Sequence, residues 1–336
     1  MAHKPATILS PIGNGNGAHV VHKLLENRIP GYHVISYNPY RTLFPPSLLF
    51  LGKFKKAELI HTTPDYAFFH ARKNIPLILT FHGYALDRFL HDFSSILQNI
   101  HCQTDLRLFT KLALRKADMI TAVSHFTANL VKQEMKLTDN ITVIHNGIDH
   151  TVFTPGRTRK YAETINVLFC GKISQRKGAH WLVPIAEKLD KNINILYTSG
   201  IQPTGMSLKH PHLKCVGSIP YQQMPALYQN ADILLFPTVR EGFGLVVAEA
   251  MACGLPVVAT NCSSLPELID GGKGGFLCPL GNVNSFAEKI NFLADNPELR
   301  REMGEYNRVK VEKMFTLDRM LDQYQELFED VLSKNS

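Results

Sequence analysis

The chain has 336 residues, of which 45% are hydrophobic and 19% charged, and a formal net charge of +7. That length suits two ordinary soluble cores. No signal-peptide core follows Met1, and no apolar run approaches the roughly 18 residues of a membrane span, which excludes a spanning helix. The six cysteines, at 102, 170, 215, 253, 262 and 278, form no C-x-x-C pair and mostly sit in apolar runs. They read as reduced core thiols of a cytoplasmic protein.

Strands and helices alternate along the chain. Residues 6–11 are strand-like, and a Gly-rich turn then opens an amphipathic run over 18–27. Short apolar strands follow at 32–37, 58–62, 76–81, 118–124 and 140–144, with helical patterns at 106–116 and 126–136 between them. Alternation of this kind predicts a parallel sheet covered on both faces. Residues 153–160 are polar and turn-rich and read as a linker. A second series then begins, with strands at 165–170, 194–199, 213–217, 232–236 and 256–260. Beyond Gly281 the pattern is helical, over 285–294, 298–314 and 317–333. The expected fold class is α/β, with two doubly wound Rossmann-like domains. The first spans residues 1–153 and the second 154–316, and a C-terminal helix at 317–336 returns to the first domain.

Ligands of such sheets bind beyond the carboxyl ends of the strands. Four features fall at those edges and predict a cleft between the domains. One is the turn Gly13-Asn14-Gly15-Asn16-Gly17; its spacing is not that of a nicotinamide site, and no acidic residue ends the second strand. The second is His82, between a buried strand and Gly83. The third is the loop Gly171–Gly178, with Lys172, Arg176 and Lys177. The fourth is the segment 236–260, where Glu241 and Glu249 lie eight residues apart across Gly242-Phe243-Gly244, the second on an Ala-rich helical run over 245–253. At about 1.5 Å rise per residue, Glu249 sits roughly 6 Å beyond Leu245. Glycines let backbone approach a ligand, and N–H groups opening a helix can face negative charge. The arrangement suits a long polar ligand with hydroxyls at both ends and phosphate in the middle, such as a nucleotide sugar. The bland alternatives are a ligand-free turn, a strand-end histidine, solvated loop lysines and a solvated helix carboxylate.

The glutamate pair resembles the Glu-x7-Glu signature of the retaining glycosyltransferases of family 4, which have the GT-B architecture. Gly171–Gly178 is similar to that family's strand-to-helix phosphate loop. Val216–Pro220, followed by Leu227–Asp232, is similar to its base-binding segment, and Thr121–Ser124 and Val143–Asp149 resemble the end of its first domain. Together these cover most of residues 117–280, while the first hundred residues match in pattern only. The family commonly has Arg where this chain has Lys172, which gives a point charge without the bidentate fork.

The resemblance implies two Rossmann-like domains facing each other across a cleft. It implies transfer of a sugar from a UDP- or GDP-sugar to a hydroxyl acceptor, with retention, in surface glycan or glycoconjugate synthesis. Glu241, His82 and Lys177 would serve the reacting sugar and leaving diphosphate. Gly15, Gly17, Lys172, Lys177, Ile219, Phe243, Gly244, Leu245 and Glu249 would bind the donor, Glu249 through the ribose hydroxyls. The diphosphate itself would take the acceptor's proton. No metal and no cofactor beyond the nucleotide-sugar co-substrate is implied, and the chain has no Asp-x-Asp motif. Two rivals stay open: a non-hydrolysing nucleotide-sugar epimerase, and a non-catalytic nucleotide-sugar-binding protein.

The charge is uneven. Residues 1–155 hold 16 Lys and Arg against 10 Asp and Glu, the remainder 20 against 19, and twelve of the fifteen histidines are in the first part. A basic first domain fits a glycan, lipid-linked or small anionic acceptor, nucleic acid, or peripheral contact with the inner face of a membrane; it equally fits a soluble surface rich in lysine. Residues 46–56 set an apolar stretch beside Lys53, Lys55 and Lys56. They read as a helix that either rests on a bilayer or buries Leu48, Leu49, Leu51 and Phe54.

Overall fold

The structure is a computed structural model that describes residues 5–51, 57–156, 164–199 and 208–335. The chain divides into two compact units. The first holds residues up to Asn146 together with those from Asp318 onward, and the second is Gly147–Leu317.

The first unit carries six parallel strands: β1 (Ile8–Gly13), β2 (Tyr32–Tyr37), β3 (Leu59–Thr62), β4 (Leu77–Phe81), β5 (Met119–Ala122) and β6 (Thr142–Val143). Their order is β2-β1-β3-β4-β5-β6. The second unit repeats the plan with β7 (Ile165–Phe169), β8 (Ile193–Thr198), β9 (Leu213–Gly217), β10 (Ile233–Phe236), β11 (Val257–Thr260) and β12 (Gly275–Cys278). Its order is β12-β11-β10-β7-β8-β9, again all parallel. Each order reverses direction once, between β1 and β3 in the first sheet and between β7 and β10 in the second. Those reversals are where crossover helices part to opposite faces and leave a crevice for ligands.

Burial explains the strands. Every residue of β3, β4, β10 and β11 is buried, as parallel strands sandwiched between helices must be. β12 has no counterpart in the sequence reading, because Gly-Phe-Leu-Cys is a four-residue run behind three glycines and shows no clear period. It pairs in register with β11 from Val257↔Gly275 to Thr260↔Cys278.

Two local expectations change. Residues 175–177 and 179–181 form 3-10 turns rather than the start of a helix; the helix proper is Leu182–Ala186. The cause is Gly178, whose φ of +75° is left-handed and whose missing side chain lets the loop lie against the carbonyl of Pro237. The stretch expected as a helix from residue 46 is a 3-10 turn, Pro45–Phe50, entered through two prolines. Leu48 and Leu51 are buried there, while Leu49 and Phe50 are exposed. Phe54 and Lys53, Lys55 and Lys56 lie outside the described residues.

The C-terminal helix, Leu317–Asn335, belongs almost wholly to the first unit. Its Tyr324 and Phe328 rings lie 5.2 and 5.3 Å from His61, and Phe328 stacks on Tyr32 at 5.9 Å. Among the described residues no helix is long and apolar enough to cross a membrane.

Candidate active site

The second sheet's reversal point brings two of the sequence candidates into contact. The loop leaving β7 carries Lys172 and Lys177, and the segment leaving β10 carries Glu241. Lys177 Nζ donates to Glu241 Oε1 at 2.6 Å, although 64 residues separate them. Ser174 Oγ accepts from the Lys177 backbone N–H at 3.4 Å, which fixes the loop's turn. The other support comes from residues that sequence reading missed. Thr238 Oγ1 lies 2.8 Å from the same Glu241 oxygen, and Ser263 Oγ accepts the Glu241 N–H at 3.0 Å. Ser264 Oγ donates to the carbonyl of Phe243 at 2.9 Å. Thr238 could have been suspected from its place just past a buried strand; Ser263 and Ser264 arrive from the β11 side and have no local signal.

Lys172 does not join this pair. It is exposed, and Gly171 before it takes φ +145° with open space where a side chain would stand. The two lysines predicted to act together thus differ: one is held by a carboxylate and the other faces solvent.

Gly244 precedes the helix Leu245–Ala252 with φ +102°, and no side chain caps that helix. The N–H groups of Leu245 and Val246 therefore keep donor capacity, with the positive end of the helix dipole behind them, while that of Val247 donates to the Gly244 carbonyl at 2.9 Å. Leu265 and Leu268 lie 3.2 and 3.1 Å from where a Gly244 Cβ would stand, so the position tolerates little else. Phe243, predicted as a donor contact, is buried and packs edge-on against Phe315 at 5.7 Å. What it offers a ligand is backbone. Leu245 is half-buried, and Ile219 is half-buried beyond the carboxyl end of β9.

Glu249 lies one turn deeper on the same helix and is only 6% exposed. Tyr228 Oη donates to its Oε2 at 2.7 Å. Burial pushes the carboxyl up to about 7, and the hydroxyls of Tyr228 and Tyr221 hold it from rising further. Near neutral pH this group is poised between its two forms, unlike a surface glutamate.

In the first unit, Gly15 sits in the turn after β1 with φ +79° and nothing within 4 Å of where its Cβ would be. Gly17 opens the helix Gly17–Arg28, capped by Asn16, whose side chain accepts the His19 N–H at 2.8 Å. His82 follows β4 directly. Its Nε2 lies 3.1 Å from Nε2 of His22, and its Nδ1 is buried with no partner among the described residues. Nothing in the local sequence marks His22 as its partner.

Comparison with known proteins places the chain. The family model described as Glycosyl transferases group 1 matches residues 154–310, and that described as Glycosyltransferase Family 4 matches residues 5–152. The N-acetyl-alpha-D-glucosaminyl L-malate synthase of Bacillus anthracis is 25% identical over 333 residues, covering 91% of this chain and 84% of that protein. The sucrose-phosphate synthase of Thermosynechococcus elongatus superposes with a TM-score of 0.81 at 19% identity, over 98% of this chain and 100% of that one. Anabaena HepE, solved in complex with UDP and glucose, gives a TM-score of 0.78 at 19% identity, over 96% and 100%. The two family models between them account for almost all of both units, and the chain belongs to the group 1 glycosyltransferases of glycosyltransferase family 4, built on the GT-B architecture.

Proposed function

We propose that the protein is a retaining glycosyltransferase that moves a sugar from a UDP- or GDP-sugar to a hydroxyl acceptor in surface glycan or glycoconjugate synthesis. The observation that carries this reading is the Lys177–Glu241 pair at the reversal point of the second sheet, followed at once by an uncapped helix N-terminus. A departing nucleoside diphosphate gathers negative charge on its oxygens. Lys177, Lys172 and the N–H groups past Gly244 supply positive charge for it, and Glu241 holds hydroxyls of the transferred sugar. Glu249 takes the ribose hydroxyls. Attack comes from the face the diphosphate leaves, through an oxocarbenium-like ion pair, and the diphosphate accepts the acceptor's proton. In the first unit, His82 contacts the transferred sugar, and the Gly15–Gly17 turn lies along the donor. The charge stabilisation in this scheme comes from protein groups, so no metal is assigned a role. Support for the donor class comes from HepE, solved with UDP and glucose, and from the family models.

The test is a thermal-shift titration with UDP, GDP, ADP and their common sugars, followed by product analysis. A ligand that binds only the native state at a hundredfold excess over its Kd adds about 2.7 kcal/mol to stability. Conversion of the donor alone into an isomeric nucleotide sugar would replace the transferase with an epimerase. Binding with neither hydrolysis nor transfer, for every acceptor class, would leave a binding protein.

We further propose that the first unit docks on an anionic lipid surface, in keeping with a cytoplasmic protein held at the inner face of a membrane. Leu43, Phe44 and Phe50 stand out from the 3-10 turns at Pro39–Leu43 and Pro45–Phe50, and Ile96 and Leu97 from the helix Ile96–His101. Phe50 is 82% and Leu97 80% exposed. Leu48, Leu51, Cys102 and Leu106 pack into one core, so both exposed sets overlie the same interior. Arg88, His91 and Arg107 line a cavity of about 480 Å3 in this part of the unit. Apolar side chains beside cations suit an interface with acidic headgroups. The protein should co-sediment with vesicles containing phosphatidylserine, release as salt is raised, and ignore neutral vesicles. Phe50→Ser with Leu97→Ser should lower the bound fraction several-fold without lowering thermal stability. Equal, negligible sedimentation with both vesicle types would reject the docking surface.

A further inference from the structure

Behind His82 the first unit buries a chain of polar side chains that the reaction scheme leaves unused. Ser10 of β1, His61 of β3, Thr80 of β4 and Thr121 of β5 are fully buried, as is His22 on the helix Gly17–Arg28. His82 Nε2 meets His22 Nε2 at 3.1 Å. His22 Nδ1 lies 2.6 Å from Ser10 Oγ and 2.9 Å from Tyr32 Oη. Tyr32 Oη is also 2.8 Å from His61 Nδ1; His61 Nε2 is 2.7 Å from Thr80 Oγ1, which is 2.7 Å from Thr121 Oγ1. The His22 and His61 rings stack at 4.6 Å.

A core does not bury two imidazoles and half-bury a third without setting their protons. Burial pushes His61 and His82 down to about 3 and His22 well below its ordinary value, so all three rings are neutral. A neutral ring has one N–H and one lone pair. Ser10 Oγ lies 2.6 Å from His22 Nδ1, and with the Ser10 hydroxyl as donor that nitrogen is the acceptor. The Tyr32 proton goes to His61 Nδ1, the His61 Nε2–H to Thr80, and the Thr80 hydroxyl to Thr121. Each of these four protons then has an acceptor, and His22 is left with its proton on Nε2, pointing at His82 Nε2.

We propose that His22, oriented by Ser10, is a positioning residue that fixes His82 in its Nδ1–H tautomer, making it a neutral hydrogen-bond donor. In this form the buried, unpartnered Nδ1 of His82 carries a proton in need of an oxygen. A hydroxyl of the transferred sugar supplies one, and that last step rests on the functional reading above. A lone pair at Nδ1 would require a donor instead, so the relay decides which end of a hydroxyl is read.

The tautomer can be measured without any activity. In the full, ligand-free protein labelled with 15N-histidine, the His82 signal is the one lost in His82→Asn. It should show a pyrrole-type shift at Nδ1 and a pyridine-type shift at Nε2. In His22→Leu the tautomers should mix, and in His22→Gln, whose amide N–H takes the place of Nε2–H, the wild-type pattern should return. A pyridine-type Nδ1 in the wild-type protein, or a pattern unchanged in a folded His22→Leu, overturns the proposal. The sugar step is read separately by titrating UDP-glucose and UDP, with GDP-mannose and GDP as the second pair. His22→Leu should lose severalfold affinity for the sugar nucleotide only, with recovery in His22→Gln. Equal loss for sugar nucleotide and nucleoside diphosphate would reject the role at the sugar, while the NMR result still judges the tautomer.

Discussion

Replacing Glu241 by alanine is expected to cut turnover by about a hundredfold, the scale of a misplaced reacting group, while nucleoside diphosphate affinity holds or rises. The second half of that expectation comes from the structure. Glu241 already occupies the Lys177 ammonium at 2.6 Å, so a diphosphate must share that cation with a carboxylate. Removing the carboxylate frees Lys177 for phosphate and deprives the sugar of its anchor. Glu249→Ala should behave differently. Its ribose contact exists in ground and transition states alike, so nucleoside monophosphate, diphosphate and donor should weaken together. A carboxyl that titrates near 7 also predicts a pH effect of definite sign. Below about pH 7 the protonated form has one acceptor oxygen fewer for ribose, so monophosphate affinity should rise as pH increases through neutrality, and Glu249→Gln should flatten that rise. Calorimetric titration of the three ligands against each variant checks both. Matching profiles for the two glutamate variants would dissolve the division of roles.

What the sequence disclosed, and what it did not, follows from the range of each force. Buried parallel strands write continuous apolar runs, so eleven of the twelve described strands are legible; β12, four residues behind a row of glycines, is not. The glutamate spacing and the loop with its two lysines are local and could be read directly. Contacts across the sheet could not. Ser263 and Ser264 become partners of the Glu241 segment only when β10 and β11 lie side by side. His22 and His61 looked like two more histidines in a histidine-rich half, because their meaning lies in a stack that needs β1, β3 and a helix folded together. The different settings of Lys172 and Lys177 were hidden for the same reason. Both are loop lysines in sequence, and only the approach of a segment 64 residues away separates them.

Lys177→Ala should weaken nucleoside diphosphate binding by roughly ten- to a hundredfold, the cost of one charge-assisted contact, and barely touch the monophosphate. Loss of the lysine does more than delete a cation. It leaves Glu241, half-buried and supported by neutral groups such as Thr238 and Ser263, facing the outer phosphate with like charge. The double variant Lys177→Ala, Glu241→Ala should therefore recover part of the lost diphosphate affinity, a coupling that two independent contacts would not show. Lys172→Arg should be neutral or favourable, since Lys172 is exposed and an arginine adds a fork able to take two phosphate oxygens. Chelator should alter none of these affinities. Equal weakening of mono- and diphosphate by Lys177→Ala would place Lys177 away from the outer phosphate. The cationic role would then pass to Arg176, whose backbone carbonyl is already anchored by the Val239 N–H at 2.9 Å on the same loop.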